Sequence, residues 1–365
     1  MQIEGEKQTL VEIGQSVLRV VSPRATLPVL GGIRITAGES GVEFAASDLE
    51  MFITSTYDLA VSEQGAVVAP GRLFSEILRS LPGGKVSING QDGQVRIEAG
   101  RSEFSMRGFP VADFPQAPEV PGGEAFKVPG LDLGKALSRV VRAASTDESR
   151  PVLTGVLWIL EAGMLKLVAT DSYRLAIADV VVKEAPPDKQ AIVPGRALTE
   201  LSRHIANAGD ADVEVWLGDN QAVFKVGHTQ LVTRLIEGEF PNWRNLIPDN
   251  YENRLLVNRD HFAGAVGRVG LVAQANTPIK FHLEDEIQLT ASESGVAEAT
   301  EVLEEGKYEG SPMVVAFNPK FFSDGLEGVD TEQALLEVID PAKPALLKAE
   351  DDPSYTYLLM PVRLP

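Results

Sequence analysis

The tripeptide Ala169-Thr170-Asp171 lies near the middle of the chain and occurs twice more in similar form. Ala46-Ser47-Asp48 precedes it by 123 residues, and Ala291-Ser292-Glu293 follows it by 122 residues. Pro70-Gly71-Arg72 and Pro194-Gly195-Arg196 repeat in the same order, 124 residues apart. Several matches in one order and at nearly one spacing are not a chance result. Solenoids and propellers are built from repeats of roughly 20 to 50 residues, so repeats of this length predict three similar globular domains.

The chain length agrees with this organisation. A chain of 365 residues exceeds the size at which a single hydrophobic core keeps growing. Segments 116–130 and 247–253 are rich in proline, glycine or polar turn residues, which is typical of linkers. We therefore predict three domains, at residues 1–121, 126–248 and 252–365.

The composition excludes several kinds of site. The chain has no cysteine, so it can form neither a disulfide nor a thiolate metal site. Its four histidines lie far apart, and it has no nucleophile elbow, glycine-rich phosphate loop or paired-carboxylate motif. We expect no catalytic residue, metal or cofactor. The start of the chain lacks a basic and apolar leader, and no run of 18 apolar residues occurs, so a soluble cytoplasmic protein is expected.

The net charge of −19, taken alone, argues against binding to nucleic acid, because phosphate groups attract positive surfaces. The charges are unevenly distributed, however. Six segments with helical periodicity together carry a charge of +4, which leaves −23 for the rest. Basic residues recur at helical spacing on three of them: Lys135, Arg139 and Arg142; Arg72 and Arg79; Arg196 and Arg203. These faces are predicted to contact phosphates, and the alternative is that they are ordinary solvated helix surfaces.

Short segments with alternating apolar and polar residues lie between the helices. Examples are residues 95–99 and 213–217, and turn pairs such as Asn89-Gly90 and Asp92-Gly93 separate such segments. The alternation predicts half-buried antiparallel strands. Two helices cannot cover both faces of such extensive sheets. Each repeat is therefore predicted to be an α+β domain with two helices on one face of antiparallel sheets.

Four segments carry a resemblance to a known family: Thr26–Leu30 after Arg24, Ala169–Leu175, Phe240–Arg244 and Met360–Leu364. Together with the three repeats, they resemble the bacterial sliding clamps, the β subunits of DNA polymerase III, from end to end. The resemblance implies a head-to-tail homodimer that closes into a ring of six clamp domains, with helices lining the hole and sheets outside. It also implies a processivity factor that encircles duplex DNA without sequence preference. Pro365 follows the usual terminal leucine and departs from the family pattern.

The resemblance adds Arg24 and Arg150 to the predicted DNA contacts. A ring that moves along DNA cannot hold base edges tightly, so weak contacts with phosphates are expected. Aromatic residues are common in the family just before Leu153, where this chain has Pro151 and Val152, which leaves Arg150 as the contact. The predicted DNA-binding residues are Arg24, Arg72, Arg79, Lys135, Arg139, Arg142, Arg150, Arg196 and Arg203.

A second implied site is a groove that binds partner peptides. Its predicted residues are Leu153, Thr170, Tyr173, Arg174, Leu175, Pro241, Leu246, Ile279, Asn318, Phe321, Leu358, Met360, Pro361, Val362, Arg363 and Leu364. A chain terminus is usually polar and frayed, so this apolar one is expected to be bound or to bind. For each internal apolar residue the alternative is a place in the core. The implied partners are the polymerase III catalytic subunit, the clamp loader and repair proteins, which carry a short motif with Gln and Leu or Phe.

The resemblance also implies contact between the first domain of one chain and the third domain of another. The predicted interface residues are Arg96, Arg101, Phe104, Arg107, Leu271, Val272, Glu298, Glu301 and Glu304. The arginines would face the glutamates, and Phe104 would be an apolar anchor. Glu103 stands where a basic residue is usual, so few ion pairs are expected at the rim.

Two alternatives remain open. A multi-domain enzyme built by triplication could hold a polyanion on the same arginines, and turnover assays would detect it. A monomeric adhesion or scaffold protein with three β-rich modules would be recognised by its native mass.

Overall fold

A computed structural model describes residues 1–21, 27–122, 124–182, 188–248, 250–273 and 277–364 of the chain. Two residues singled out from the sequence, Arg24 and Pro365, lie outside the described residues.

The described residues form six α-helices, two for each repeat, as the periodicity predicts. They are α1 (Lys7–Leu18), α2 (Gly71–Ser80), α3 (Gly130–Val140), α4 (Gly195–Ala208), α5 (Arg259–Gly270) and α6 (Pro319–Leu326). The side chains of Asn258 and Asn318 cap α5 and α6 by accepting hydrogen bonds from backbone N–H groups of the first turn. Helix α3 ends at Val140, and the turn Val141–Ala143 continues it as a 3-10 helix.

The strands occupy the segments between the helices. In chain order they are β1 (Gln2–Glu6), β2 (Gly32–Gly38), β3 (Gly41–Ser47), β4 (Met51–Tyr57), β5 (Ala60–Glu63), β6 (Gly65–Pro70), β7 (Lys85–Gln91), β8 (Gln94–Ala99), β9 (Ser102–Arg107), β10 (Phe126–Val128), β11 (Gly155–Glu161), β12 (Met164–Thr170), β13 (Arg174–Val181), β14 (Lys189–Pro194), β15 (Val213–Leu217), β16 (Gln221–Val226), β17 (Thr229–Arg234), β18 (Asn253–Asn258), β19 (Ile279–Leu283), β20 (Gln288–Glu293), β21 (Ala297–Val302), β22 (Lys307–Glu309), β23 (Met313–Phe317), β24 (Gln333–Val338), β25 (Ala345–Ala349) and β26 (Tyr355–Leu359).

The chain divides into two compact units that do not coincide with the repeats. The first unit comprises Met1–Leu131 and Glu200–Leu235, and the second comprises Asp132–Thr199 and Ile236–Pro365. The cause is strand pairing across the repeat boundaries, because β17 pairs with β4 and β26 pairs with β13. The exact boundaries of the three domains therefore stay a prediction.

Each unit contains two antiparallel sheets. In the first unit the strand orders are β5-β1-β7-β8-β9 and β10-β15-β16-β17-β4-β3-β2-β6. In the second unit they are β14-β11-β12-β13-β26-β25-β24-β18-β22 and β21-β20-β19-β23. Strand β10 lies within the predicted linker 116–130 and pairs with β15, so that part of the linker prediction is wrong.

Each unit also has an apolar cluster beside the strands that join two repeats. In the first unit, Leu30, Phe52 and Phe114 pack with side chains of β16 and β17. In the second unit, Leu175 and Trp243 pack with side chains of β25 and β26. The antiparallel α+β architecture with two helices for each repeat is thus confirmed.

Candidate functional site

The turn between β12 and β13 is held by its own side chains. The Asp171 carboxylate accepts hydrogen bonds from the backbone N–H groups of Tyr173 (2.9 Å) and Arg174 (3.0 Å). The Thr170 hydroxyl donates to the Arg174 carbonyl at 2.7 Å and accepts from the N–H of Ser172, whose φ is +81°. Because short polar side chains satisfy the backbone here, the Ala-Thr-Asp motif builds a tight turn that presents Tyr173.

Arg174 is a buried cation at the start of β13. Its guanidinium group donates to Asp324 at 2.5 Å, to Asp171 at 2.9 Å and to the Tyr357 hydroxyl at 3.2 Å. It also lies over the ring of Phe321, 4.3 Å from the ring centroid. Burial alone would lower the pKa of Arg174, but Tyr357 and the two carboxylates outweigh it and raise this pKa above its ordinary value. The side chain is therefore charged and fixed in place.

The C-terminal segment is held on both sides by backbone hydrogen bonds. The N–H of Met360 donates to the Tyr173 carbonyl at 2.9 Å, and the N–H of Val362 donates to the Ala316 carbonyl at 2.7 Å. The side chains of Met360, Val362 and Leu364 are nevertheless more than a third exposed. A tethered backbone with exposed apolar side chains fits a binding surface better than a frayed end.

Tyr173 extends this apolar surface. Tyr173 is 62% exposed, and its ring stacks on that of Phe321 with centroids 6.5 Å apart. We call the surface formed by Tyr173 and the C-terminal segment the groove. Leu246 and Pro241 are exposed on the segment that follows β17, on either side of Trp243, which packs with Leu175 and Leu358, so they stay predicted groove residues.

Several predicted groove residues are buried beneath this surface. Leu153, Thr170, Leu175 and Leu358 are almost completely buried, so they support the groove instead of lining it. Ile279 is fully buried and pairs with Phe317 in the four-stranded sheet, so a direct contact with a peptide is wrong for this residue. The sequence alone does not tell whether an isolated apolar residue on these strands is exposed or buried, because both faces of the strands are covered.

The basic face of α3 is largely neutralised within the second unit. Arg139 is only 4% exposed and forms ion pairs with Asp330 and Asp352, the latter at 3.1 Å. Lys135 also pairs with Asp330, at 2.6 Å. The prediction that Arg139 contacts phosphate is therefore wrong, because acidic residues about 200 positions away enclose its guanidinium group. Arg142, 30% exposed, pairs with Glu327.

The other predicted basic residues are more accessible. Arg72, Arg79, Arg196 and Arg203 are exposed, and Arg203 forms an ion pair with Glu200 on the same helix. Arg150 lies beside the groove turn: it pairs with Asp147 at 3.1 Å and donates to the Ser172 hydroxyl at 3.0 Å.

The sequence interpretation missed Arg19 and His204. In the first unit they line a cleft of about 630 Å³ together with Arg203, Tyr57 and His228. Burial, helped by the two arginines, lowers the pKa of His204 to about 4. The repeat could have revealed Arg19, which lies 123 residues before Arg142.

Among the strands at sheet edges in the described chain, β9 and β21 carry predicted interface residues. Strand β9 ends the five-stranded sheet with Phe104 partly exposed, and Arg101 and Arg107 flank it. Strand β21 ends the four-stranded sheet with Glu298 exposed.

Near β21, Leu271 is 85% exposed and Val272 partly so, and Glu304 is exposed. Two predicted partners are engaged within their own chain: Arg96 with Glu103 at 3.3 Å, and Glu301 with Arg268 at 2.5 Å.

Three family models match the chain in succession. The DNA polymerase III beta subunit N-terminal domain matches residues 1–118, the central domain residues 127–242, and the C-terminal domain residues 244–363. The chain belongs to the bacterial β sliding clamps. The family resemblance and the three-repeat prediction are thus confirmed.

Similar clamps cover nearly the whole chain. The beta sliding clamp of Staphylococcus epidermidis is 35% identical over 358 residues, which is 95% of each chain. The DNA polymerase sliding clamp of Bacillus subtilis is 29% identical and covers all of both chains with a TM-score of 0.93. The C. crescentus beta sliding clamp is 31% identical, with a TM-score of 0.91, over 100% of this chain and 99% of that one.

As a member of this family, the β sliding clamp described here is a replicative processivity factor and an accessory subunit of DNA polymerase III. In the described residues, no cluster of potential ligands could hold a metal ion, and no helix has the length and apolar character needed to span a membrane.

Proposed function

We propose that this clamp is a non-catalytic cytoplasmic homodimer that closes head to tail around duplex DNA. In this ring it would tether the polymerase III catalytic subunit, the clamp loader and repair proteins. The observation that carries the tethering role is the C-terminal segment, whose backbone is fixed beside Tyr173 while its apolar side chains stay exposed.

Ring closure would use two of the sheet edges, β9 and β21. An edge strand offers unpaired N–H and C=O groups, so β9 of one chain and β21 of another can extend a sheet across the interface. Leu271 and Phe104 would add apolar contact at the same place. Few ion pairs are proposed there, because Arg96 and Glu301 already have partners in their own chain.

Contact with DNA would be weak and independent of sequence. The proposed contacts are Arg24, Arg72, Arg79, Lys135, Arg142, Arg150, Arg196 and Arg203, without Arg139. Arginine and lysine contacts to phosphate hold a duplex without fixing its register, and they weaken steeply with salt. Clamp loaded on a nicked circle should stay bound through gel filtration and leave when the circle is linearised.

The groove would bind a short peptide with Gln and Leu or Phe anchors. Deleting residues 360–365 removes three exposed apolar side chains from this surface. At roughly 25 cal/mol per Å², the loss should weaken peptide binding by about 2 kcal/mol, or more than tenfold.

The test is calorimetry with a Gln-Leu-x-Leu-Phe peptide on the full-length and truncated clamps, with sedimentation to follow the dimer. Val181→Ser, which changes an exposed apolar residue at the other end of β13, is the matched control and should bind normally. Equal affinity in the full-length and truncated forms would show that partners bind elsewhere.

A further inference from the structure

The carboxylate of Asp324 lies between two arginines of the second unit. One oxygen accepts a hydrogen bond from Arg174 at 2.5 Å, and the other is 3.8 Å from the guanidinium group of Arg142. The Arg174 guanidinium also donates to the backbone carbonyl of Arg142. The three residues therefore form a closed set of contacts between α6, β13 and the end of the α3 segment.

The two arginines belong to different proposed sites. Arg174 supports the groove, because its guanidinium group lies 4.3 Å from the centroid of Phe321, on which Tyr173 stacks. Arg142 belongs to the basic face proposed to approach DNA. Asp324 is thus the one carboxylate among the described residues that contacts both arginines.

Arg142 is the more accessible arginine of this set. It is 30% exposed and bound only at its guanidinium end, by Asp324, Glu327 and the Ser138 carbonyl. Arg174, by contrast, is 6% exposed and enclosed by Asp171, Asp324 and Tyr357. A phosphate near Arg142 would compete with carboxylates for its charge. When Arg142 turns to the phosphate, the full charge of Asp324 acts on Arg174, in a site that solvent screens only partly.

We propose that Asp324 is a positioning residue of the groove that couples it to DNA: a duplex phosphate that binds Arg142 tightens peptide binding. The coupling rests on the proposed function of the groove and of the basic helix face. Because coupling between two binding sites is reciprocal, a bound peptide strengthens duplex binding by the same factor. An effect of roughly fivefold lies at the lower end of such couplings.

The first unit shows that the repeat does not require this arrangement. Glu200 on α4 occupies the place of Asp324 on α6, and Met51 on β4 occupies the place of Arg174. Glu200 pairs with Arg203 of its own helix, and its second oxygen has no hydrogen-bond partner among the described residues. The buried arginine, Arg174, therefore belongs to the pairing of β13 with β26, beside which the groove lies, and not to the equivalent pairing of β4 with β17.

The experiment measures the affinity of a fluorescent Gln-Leu-x-Leu-Phe peptide for the full-length dimer, with and without an excess of short linear duplex at low salt. In the natural protein the duplex should raise peptide affinity about fivefold. In Arg142→Gln and Asp324→Asn the factor should fall to one. Asp324→Asn should also weaken peptide binding without duplex, because Arg174 loses a ligand.

Lys166→Gln is the matched control. Lys166 lies in the second unit, is 31% exposed, close to the 30% of Arg142, and pairs with Asp179 and not with Asp324, so the fivefold factor should remain. Equal peptide affinity with and without duplex would overturn the coupling while leaving the groove intact. Loss of the factor in Lys166→Gln as well would also overturn it, since general attraction would then explain the effect. Absence of peptide binding under all conditions would instead refute the groove. If Asp324→Asn does not fold, Arg142→Gln still decides the result.

Discussion

Two junctions join the repeats, one where β4 pairs with β17 and one where β13 pairs with β26. They have the same backbone arrangement and differ in the side chains that fill them. At the first junction, Asp48 accepts hydrogen bonds from the N–H groups of Glu50 and Met51, and Leu49 has a φ of +76°. The second junction repeats this turn with Asp171 and with Ser172 at +81°. The end of the partner strand is also tied to each turn in the same way. The N–H of Arg234 donates to the Glu50 carbonyl at 3.1 Å in the first junction, and the N–H of Met360 donates to the Tyr173 carbonyl at 2.9 Å in the second.

The two junctions distribute large and small side chains in opposite ways between the strand and the helical segment. By strand register, Thr229 and Leu231 of β17 correspond to Tyr355 and Tyr357 of β26. By repeat position, Leu201 and His204 of α4 correspond to Gly325 of α6 and to Gly328 just after that helix, so smaller residues accompany the larger tyrosines. A Cβ atom on Gly325 would lie 2.5 Å from the Tyr357 ring, and one on Gly328 would lie 2.3 Å from Tyr355.

The polar groups differ in the same way. The first junction has apolar, buried Met51 at the start of its strand. The second has Arg174 with its carboxylates at that place, beside the exposed apolar side chains of Met360, Val362 and Leu364. A duplicated backbone thus carries an apolar packing contact in one place and a buried charge network beside an open surface in the other.

The largest expected effect comes from giving the second junction the side chain of the first. Arg174→Met would leave Asp171 and Asp324 without their buried cation, so the free energy of unfolding should fall by about 3 kcal/mol. Met51→Leu, a substitution of similar volume at the equivalent place, should cost less than about 1.5 kcal/mol. Urea denaturation of both variants measures the difference. Similar losses would show that the charge network does not distinguish the junctions.

Acid should affect the first junction through His204. Its pKa is about 4 in the folded protein, against about 6.5 for an exposed histidine. Above pH 6.5 the side chain is neutral in both states and has no effect. As the pH falls toward 4, the unfolded chain binds a proton that the folded one does not, so the free energy of unfolding should decrease by roughly 3 kcal/mol through this group.

His204→Gln should remove that part of the pH dependence, as measured by denaturation at several pH values. The second junction has Gly328 at the equivalent place, which cannot titrate, so the effect should be confined to the first unit. The fluorescence of Trp216, which lies in that unit, should follow its unfolding. Parallel curves for the variant and the natural protein would contradict the prediction.

The exchange of volumes at the second junction predicts a smaller effect. Gly328→Ala forces a methyl group against Tyr355 and should cost about 2 kcal/mol. Gly267→Ala, at an exposed position of α5 where nothing lies within 4 Å, should instead stabilise the clamp by roughly 0.5–1 kcal/mol.

Tyr355→Thr introduces the residue that the first junction has at the equivalent place. The double variant Gly328→Ala with Tyr355→Thr should lose less stability than the sum of the two single variants, as measured by thermal unfolding. A double variant whose loss is the sum of the single losses would argue against complementary packing.

The sequence was sufficient for whatever depends on local pattern or on repetition. The 123-residue spacing predicted three similar globular domains, helical periodicity predicted six helices, and the family resemblance carried in part by Ala169–Leu175 implied the groove. These features follow from the repeated sequence or from residues a few positions apart, so no knowledge of the folded chain is needed.

The tertiary structure alone decided which of the singled-out residues are accessible. Arg139 looked like part of a solvated basic face, but Asp330 and Asp352 from the third repeat enclose it. Ile279 looked like a groove wall and is core, and Arg174 meets Asp324 across 150 positions of sequence. The physical reason is that the charge and burial of a side chain depend on segments that only folding brings beside it.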